Sequence, residues 1–529
     1  GTNTLTLTAA NTYSGANYLY GGTVSVASLA NGGVASNIGQ STNAAANLVI
    51  NNATLKYTGA ATSTDRLFTL GDSGATVDAS GTGALVFTNT GPLAFSGTAG
   101  RLLTLTGTNT ADNTMTPVLA NNAGISSFTK AGTGKWVMKG ANTYTGLTTI
   151  TGGTLNVGDG TDALASLGTN AISIGAGTTL NFNHNAAVTV ANAIDGAGQL
   201  NKLGGNTISL TGVNSYTGAT GTGSAGGVVF ANDTAPTTSG FTGSGTVTIE
   251  SATNSFGGLV TGNYTYDTTI TGLTLGKSGN LTNVTLNSLV DISGPITVYA
   301  PQITVNQSLS TSGGLTLNGQ SVLNGATITT TGAQNYNGSV TLGAATVMTS
   351  TGAAAITFGN TLNGAQTLAV NTSGATTFTG AVGGTTALTS LVTDAGGTVA
   401  INGGVVNTTG AQIYGEVATL GAATALTSSG SGAITFGNTL NGAHTLAVNT
   451  SGATTFTGAL GDSTPLTSLA TDAGGTVAIN GGVVNTTGAQ SFGEVATLGA
   501  ATVLSSSGSG AISFGNILNG AFTLAVNTS

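Results

Sequence analysis

Two histidines are the only side chains of this 529-residue, cysteine-free chain whose ordinary pKa suits them to be the base of a Ser/His/Asp site. His184 lies in a polar, turn-like stretch, Asn181-Phe-Asn-His-Asn185, and is predicted to be a surface turn residue. His444 is replaced by Gln366 and by Phe522 in two other copies of an internal repeat. Because Phe cannot accept a proton, we predict no catalytic role for His444, and no catalytic residue is predicted elsewhere.

Carboxylates recur at a spacing that could place them on neighbouring coils. Asp394 and Glu416 are separated by about one coil of the chain, and the pair recurs as Asp472 and Glu494. Two stacked carboxylates form a general acid/base pair suited to cleaving a polysaccharide. Residues 278–529, however, contain no Lys or Arg to bind an anionic sugar. The sequence therefore favours solvated corner acids that keep the protein soluble, with a polysaccharide-active site as the alternative.

A short segment rich in oxygen donors, Gly158-Asp-Gly-Thr-Asp162, suggests calcium binding, because hard cations take several oxygen ligands. Calcium loops of this kind come in tandem, and this segment stands alone, so a turn between coils is the favoured interpretation. The absence of Cys excludes disulfides and thiolate zinc sites. No metal and no cofactor is predicted.

The composition excludes several classes of protein. Charged residues make up 5% of the chain, where globular domains carry about 25%, and glycine occurs 87 times. Few strong helix formers are present, which argues against a helical protein. A hydrophobic content of 39% with a net charge of −8 argues against disorder and against nucleic acid as a partner. No apolar run is long enough to span a bilayer. A long all-β protein remains.

Tandem repeats organise the chain. The segment Thr330-Thr-Gly-Ala-Gln334 recurs at 408–412 and again at 486–490, which defines a 78-residue repeat. We interpret each copy as four coils, which in one copy are 356–375, 376–397, 398–411 and 412–433. Units of about 20 residues with short alternating strands are typical of a β-solenoid. Inward Val, Ile, Leu and Phe would form its core, and Asn, Thr and Ser would face water or stack in ladders.

The aromatic residues are predicted to be packing residues. Tyr336, Tyr414 and Phe492 occupy equivalent positions in successive repeats. Exchange of Tyr for Phe indicates that the ring matters and that the hydroxyl is dispensable. The lone Trp136 is interpreted as a buried core residue.

Residues 1–220 carry a different repeat. Its fullest copy runs Lys130-Ala-Gly-Thr-Gly, then Asn142-Thr-Tyr-Thr-Gly, then Gly153-Thr-Leu-Asn-Val157, and related copies begin at Gly1 and at Lys202. This pattern resembles the autotransporter-associated β-strand repeat of passenger domains in bacterial type V secreted proteins. Residues 262–325 and the 78-residue units are similar to giant haemagglutinin-type exoproteins.

These resemblances imply a right-handed parallel β-helix, exported and held at or shed from a Gram-negative cell surface. The families contain adhesins, filament or sheath proteins and some enzymes. We expect three regions, 1–225 with the first repeat, 226–325 of transitional coils, and 326–529 of 78-residue repeats, forming one continuous rod. Both ends are interpreted as cut, so a longer parent protein is expected.

The predicted function is a non-enzymatic structural or adhesive surface protein, a rigid shaft of a giant adhesin or filament. A polysaccharide hydrolase or lyase is the alternative, and ice binding by arrays such as Thr4-Leu-Thr-Leu-Thr8 is a weaker one. Expected partners are further copies of the chain, in fibres or bundles, and host or neighbouring cell surfaces or their glycans. No nucleic acid partner and no membrane-spanning segment are expected.

Overall fold

Parallel strands stacked turn on turn form the whole described structure. The computed structural model describes residues 3–255 and 264–529, and the backbone of the strand Leu259–Val260 between them. The predicted β-solenoid is confirmed, with about 24 turns of roughly 22 residues, slightly longer than the predicted 20. The single helical segment among the described residues is the 3-10 turn Ala45–Asn47. No helix in this part of the chain has the length and apolar character needed to cross a bilayer.

The chain divides into two compact units, Gly1–Gly257 and Gly258–Ser529, each described by itself below. The strands of the first unit are β1 (Thr4–Leu7), β2 (Asn17–Tyr20), β3 (Thr23–Val26), β4 (Leu48–Asn51), β5 (Ala53–Tyr57), β6 (Thr62–Thr64), β7 (Thr69–Leu70), β8 (Ala75–Ala79), β9 (Leu85–Phe87), β10 (Ala94–Phe95), β11 (Arg101–Thr106), β12 (Asn113–Met115), β13 (Ser126–Lys130), β14 (Lys135–Met138), β15 (Thr148–Ile150), β16 (Thr154–Val157), β17 (Ile172–Ile174), β18 (Thr179–Asn183), β19 (Val188–Val190), β20 (Ile194–Gly196), β21 (Gln199–Leu203), β22 (Ile208–Leu210), β23 (Thr220–Gly221), β24 (Gly227–Ala231), β25 (Gly240–Thr242) and β26 (Thr246–Glu250).

Within each run of the first unit, a strand pairs in parallel with a strand of the turn before and a strand of the turn after. One sheet runs β1-β3-β5-β8-β11-β13-β15-β17-β20, a second runs β6-β9-β12-β14-β16-β18-β21-β23-β25, and shorter runs are β2-β4-β7-β10 and β19-β22-β24-β26. Short strands cannot bury an apolar side alone, and stacking gives each strand inside a run two partners.

The strands of the second unit are β27 (Leu259–Val260), β28 (Thr265–Tyr266), β29 (Gly272–Leu275), β30 (Val284–Leu286), β31 (Val290–Ile292), β32 (Ile296–Val305), β33 (Leu309–Thr311), β34 (Leu315–Leu323), β35 (Thr327–Thr330), β36 (Gln334–Tyr336), β37 (Val340–Leu342), β38 (Thr346–Ser350), β39 (Ile356–Phe358), β40 (Leu362–Asn363), β41 (Thr367–Thr372), β42 (Ala375–Phe378), β43 (Ser390–Thr393), β44 (Thr398–Ile401), β45 (Val405–Thr408), β46 (Gln412–Tyr414), β47 (Val417–Leu420), β48 (Thr424–Ser428), β49 (Ile434–Phe436), β50 (Leu440–Asn441), β51 (Thr445–Thr450), β52 (Ala453–Phe456), β53 (Ser468–Thr471), β54 (Thr476–Ile479), β55 (Val483–Thr486), β56 (Gln490–Phe492), β57 (Val495–Leu498), β58 (Thr502–Ser506), β59 (Ile512–Phe514), β60 (Leu518–Asn519) and β61 (Leu524–Thr528).

Three strands make one turn through the 78-residue repeats, so the solenoid has three faces there. The first face carries β36-β39-β42-β44-β47-β50, and the third carries β38-β41-β43-β46-β49-β52. The second carries β37 and β40, then Val382 as a single bridge, then β45-β48-β51-β53-β56-β59. Each strand therefore lies on the strand three positions before it.

The 78-residue repeat does not contain a whole number of turns. Ten strands, β39 to β48, and the bridge at Val382 make eleven strand positions in one copy, which is three and two-thirds turns. The equivalent strands β39, β49 and β59 accordingly lie on the first, third and second faces. The prediction of four coils per copy is wrong, because one of the predicted segments contains only two strand positions. Each copy is turned by one face from the copy before it.

The interior is apolar and the exterior is polar, as predicted. Alternation along the strands is plain in β44, where Val399 and Ile401 are buried and Thr398 is exposed. Outward amides stack in ladders, and the Asn324 Nδ2 donates to the Asn306 Oδ1 of the preceding turn at 2.7 Å. Stacked Asn side chains satisfy one another at each turn.

Candidate functional sites

The lysine that opens the first repeat is buried and holds backbone carbonyls. Lys130 Nζ donates, at 2.7 to 3.0 Å, to the carbonyl oxygens of Ala131, Gly132 and Gly152. Burial lowers the pKa of Lys130 to about 8. Lys202, at the same motif position, likewise donates to carbonyls of its own and the following turn. These lysines fasten one turn to the next. Sequence reasoning missed this role, although a lysine repeated in a chain with six lysines was a usable signal.

The Asn-Thr-Tyr part of the same repeat also fixes the backbone. Asn142 Oδ1 accepts from the Leu119 N–H at 2.8 Å, and its Nδ2 donates to the Ser166 carbonyl at 2.7 Å, so one side chain joins three successive turns. The hydroxyl of Tyr144 lies 2.7 Å from that of Thr148, and burial raises the pKa of Tyr144 to about 12. The repeated polar residues of this motif are therefore structural.

Trp136 is buried, as predicted, and its indole N–H donates to the Thr106 carbonyl at 2.8 Å. Arg66, which the sequence did not single out, is also buried. Its guanidinium donates to the Ala30 and Ser41 carbonyls, both at 2.9 Å. It thereby fastens the long connection between β3 and β4, since a buried guanidinium needs several acceptors.

The segment considered for calcium already has a cation from the protein. Lys139 Nζ lies 2.7 Å from the Asp159 Oδ2 and 3.1 Å from the Asp162 Oδ2. The ammonium group is shared by the two carboxylates that a calcium ion would need, and it balances one of their two charges. The segment is a turn held by this ion pair.

His184 is not a surface turn residue, and that prediction is wrong. Its side chain is 6% exposed, and its ring lies 6.4 Å from the Phe182 ring, centroid to centroid. The residue continues the alternation of β18, in which Phe182 points inward and Asn183 outward. Burial lowers the pKa of His184, so the ring is neutral at pH 7. His444 is half-buried and lies on the second 78-residue copy.

The recurring glutamates are buried, so the prediction of solvated corner acids is wrong for them. Glu416 and Glu494 are both 0% exposed. Only two residues connect β46 to β47, and this tight corner directs the Glu416 side chain inward. The Thr376 hydroxyl lies 3.4 Å from the Glu416 Oε1, and Thr454 stands 3.3 Å from Glu494 in the same way.

The pKa values of both buried acids are raised. Burial, reinforced by the charge of Asp394, raises the pKa of Glu416 to about 7. Burial and the Asp472 charge raise the pKa of Glu494 to about 7 as well. Residues 278–529 contain no Lys or Arg that could neutralise the carboxylates instead. The structure does bring each predicted carboxylate pair together, Asp394 with Glu416 and Asp472 with Glu494, but the adjoining turns enclose the glutamate of each pair, away from a polysaccharide in solution.

Aromatic rings stack along the interior of each copy, as the sequence predicted. Tyr336, Phe358 and Phe378 stack at centroid distances of 5.2 Å, and Tyr414 lies 4.9 Å from the next ring in its own copy. The tyrosine hydroxyls also form hydrogen bonds, although the sequence indicated that they were dispensable. Tyr336 donates to the Gln334 Oε1 at 2.8 Å, and Tyr414 makes the same bond in the second copy.

The third copy has Phe492 at this position, and the buried Gln490 Oε1 has no hydrogen-bond partner in the described structure. We expect Phe492→Tyr to stabilise the chain by about 1 kcal/mol, because the new hydroxyl supplies the missing donor. The measurement is the urea midpoint followed by circular dichroism.

The matched control is Phe436→Tyr, which places a hydroxyl in the corresponding ring stack of the second copy, between Tyr414 and Phe456. We expect this variant to lose stability, since an unpartnered hydroxyl is then buried. Equal effects of the two substitutions would contradict the role given to Gln490.

Comparisons with known proteins agree with this architecture. The family model described as the passenger-associated-transport-repeat matches residues 1–26, 128–157 and 200–221. The chain carries three copies of this autotransporter passenger repeat. The second matched segment contains Lys130 and Asn142-Thr-Tyr144, and the third contains Lys202.

One curated relative is similar over part of the chain. It is the adhesin BmaC autotransporter of Brucella suis biovar 1 (strain 1330), 41% identical over 178 residues, which is 33% of this chain and 5% of that protein. No solved structure matches significantly. With its passenger repeats and parallel solenoid, the chain is similar to autotransporter passenger proteins, which supports an extracellular or outer-membrane-associated location.

Proposed function

We propose that this chain is a non-enzymatic shaft segment of a bacterial surface adhesin, which holds contact-forming groups away from the cell. The observation that carries the proposal is the unbroken stacking within each unit. Every face of the 78-residue repeats continues from copy to copy, while the side chains of His184, Glu416 and Glu494 are buried. A solenoid gains length by adding turns that contact only their neighbours.

The adhesive part of the proposal is supported by the likeness to an autotransporter adhesin, of which this chain spans about 5%. Host or neighbouring cell surfaces are the expected partners. The test is adhesion of beads that carry the purified chain to epithelial monolayers and to bacterial lawns. Adhesion above albumin-coated beads is expected, and equal adhesion would contradict the proposal.

Self-association is a further part of the proposal. Residues 278–529 contain six acidic residues and no Lys or Arg. Two of these acids, Glu416 and Glu494, are buried. Weakly charged outer surfaces oppose lateral packing with little Coulomb repulsion. Sedimentation velocity should show bundles at high protein concentration. A strictly monomeric chain over the whole concentration range would count against this part.

A further inference from the structure

Two equivalent clusters of oxygen atoms lie inside the 78-residue repeats. The first consists of the carboxylates of Asp394 and Glu416 and the hydroxyls of Thr376 and Thr393. The second, 78 residues further along the chain, consists of the same groups of Asp472, Glu494, Thr454 and Thr471. We call them the first and second oxygen clusters. Where the glutamate is absent from the preceding copy, at Gly338, the aspartate is absent too, at Thr316. The two carboxylates therefore occur as a pair.

Three successive turns supply the first oxygen cluster. The strands β42, β44 and β47 lie side by side on the first face. Thr376 belongs to β42, Asp394 begins the four-residue connection into β44, and Glu416 ends the two-residue connection into β47. The Glu416 side chain extends past the middle turn, because its Oε1 lies 3.4 Å from the hydroxyl of Thr376, two turns away. A ligand held here would contact three turns at once.

Several buried oxygen atoms of the clusters have no hydrogen-bond partner in the described structure. In the first cluster these are Glu416 Oε2, Asp394 Oδ1 and the Thr393 hydroxyl. Thr393 is 2% exposed, and its hydroxyl faces the Glu416 carboxylate. In the second cluster Glu494 Oε2 and Asp472 Oδ1 are without a partner in the same way. A buried polar atom needs a partner, and a proton on one carboxyl group would serve only one of these acceptors.

The spacing of the oxygen atoms fits ligands that share one calcium ion. The hydroxyl and carboxylate oxygens lie 3.4 Å apart between Thr376 and Glu416, and 3.3 Å apart between Thr454 and Glu494. A hydrogen bond from a hydroxyl to a carboxylate is much shorter, at about 2.5 to 2.7 Å. Two oxygens bound at right angles to calcium, each at about 2.4 Å, are about 3.4 Å apart, whereas on magnesium they are about 2.9 Å apart.

The charge of the clusters requires a cation from outside the protein. At the turn formed by residues 158–162, Lys139 Nζ lies 2.7 Å from the Asp159 carboxylate and supplies a positive charge. Residues 278–529 contain no Lys or Arg that could do the same. Two ionised carboxylates are costly to bury, and one divalent ion balances both charges. Carboxylate and hydroxyl oxygens are ligands that calcium prefers, whereas zinc is mostly held by Cys and His.

We propose that each oxygen cluster binds one calcium ion, which clamps three successive turns of the solenoid. The glutamate and the two threonines of each cluster are buried, whereas Asp394 and Asp472 are half-buried. The ion therefore enters past the aspartate, at the connection that follows it. Calcium makes the stack harder to open, and a chelator makes it easier to open. This inference goes beyond the proposed adhesive function and does not rest on it.

The test is titration of the full-length chain with calcium chloride at pH 7.5, in chelator-treated buffer, followed by isothermal titration calorimetry. Wild type is expected to bind two ions, E416Q one and E416Q/E494Q none. T376V removes one hydroxyl ligand and leaves both carboxylates in place, so it should weaken the first site by at least about fivefold. Magnesium chloride should bind at least about tenfold more weakly than calcium chloride, because the oxygens are too far apart for it.

The matched control is D462N, which removes an exposed acid of the same repeats and should still bind two ions. Urea unfolding followed by circular dichroism is the second measurement. Calcium should raise the urea midpoint of wild type above its value in EGTA, where only protonation can compensate the carboxylates, and should leave E416Q/E494Q unchanged. The proposal is overturned if wild type shows no saturable calcium binding, if E416Q/E494Q still binds two ions, if D462N loses one, or if T376V binds as wild type does.

Discussion

Replacing both buried glutamates by glutamine should stabilise the chain at pH 8. Burial raises the pKa of Glu416 and of Glu494 from 4.5 to about 7, so the folded chain keeps protons that the unfolded chain releases. The resulting stabilisation is complete below about pH 4.5 and is lost as the pH rises through 7. The loss is at most about 3 kcal/mol per site.

Glutamine keeps the shape of the side chain, cannot ionise, and offers an amide N–H to the neighbouring Asp394 or Asp472. We therefore expect the E416Q/E494Q variant to have a higher urea midpoint than wild type at pH 8 and a much flatter dependence between pH 5 and 8. Circular dichroism during urea unfolding at each pH measures both effects.

The exposed Asp291 provides the control, since D291N removes one acid of the same unit without touching a buried carboxyl. Its pH dependence should follow wild type. A glutamine variant that is less stable than wild type at pH 8, or whose pH slope is unchanged, would show that a proton does not compensate these carboxylates.

Removing one 78-residue copy should leave a folded, shorter chain. Deletion of residues 408–485 joins Asn407 to Thr486, and β56 then takes the place of β46 on β43. The replacement is compatible, because β43 pairs with β46 as β53 pairs with β56. The second unit should shorten by about 18 Å, three and two-thirds turns at 4.8 Å each, and not by four whole turns. Electron microscopy and circular dichroism check length and fold.

A shorter deletion, of residues 408–475 only, is the matched control. It joins Asn407 to Thr476, the first residue of β54. The strands that follow are then not those that match β46 in the repeat. Inward and outward side chains then lose their register with the turn below, and aggregation is expected. If both deletions aggregate, or both fold equally well, the copies are not interchangeable stacking units.

The solenoid could be predicted from the sequence because its local features, apolar alternation and aromatic positions, recur in each repeat. Apolar alternation in Val399 and Ile401, and the exchange of Tyr336 for Phe492 between copies, report directly on what points inward. Both patterns can be read from neighbouring residues or from comparison of the copies, so neither requires knowledge of the three-dimensional arrangement.

The burial of two polar residues, Glu416 and His184, could not be predicted from the sequence, for a physical reason. The burial of Glu416 depends on a two-residue corner, and the burial of His184 depends on strand alternation continuing one residue beyond β18. Both residues are polar, and polarity alone predicts exposure. The turn count of the repeat likewise follows from the bridge at Val382, a strand position of one residue that has no visible pattern.

Within each unit, the hydrogen bonds between strands point along the direction of stacking, since strands pair with strands of adjacent turns. A pull in that direction loads these bonds in series, so the turn at an end opens first while the others hold. Each opened turn of roughly 22 residues releases about 70 Å of extended chain and removes about 4.8 Å of stack. If such a stack tethered a cell in flowing liquid, the force on the tether would be relieved in steps as successive turns opened. The tether would lengthen and absorb work before it broke.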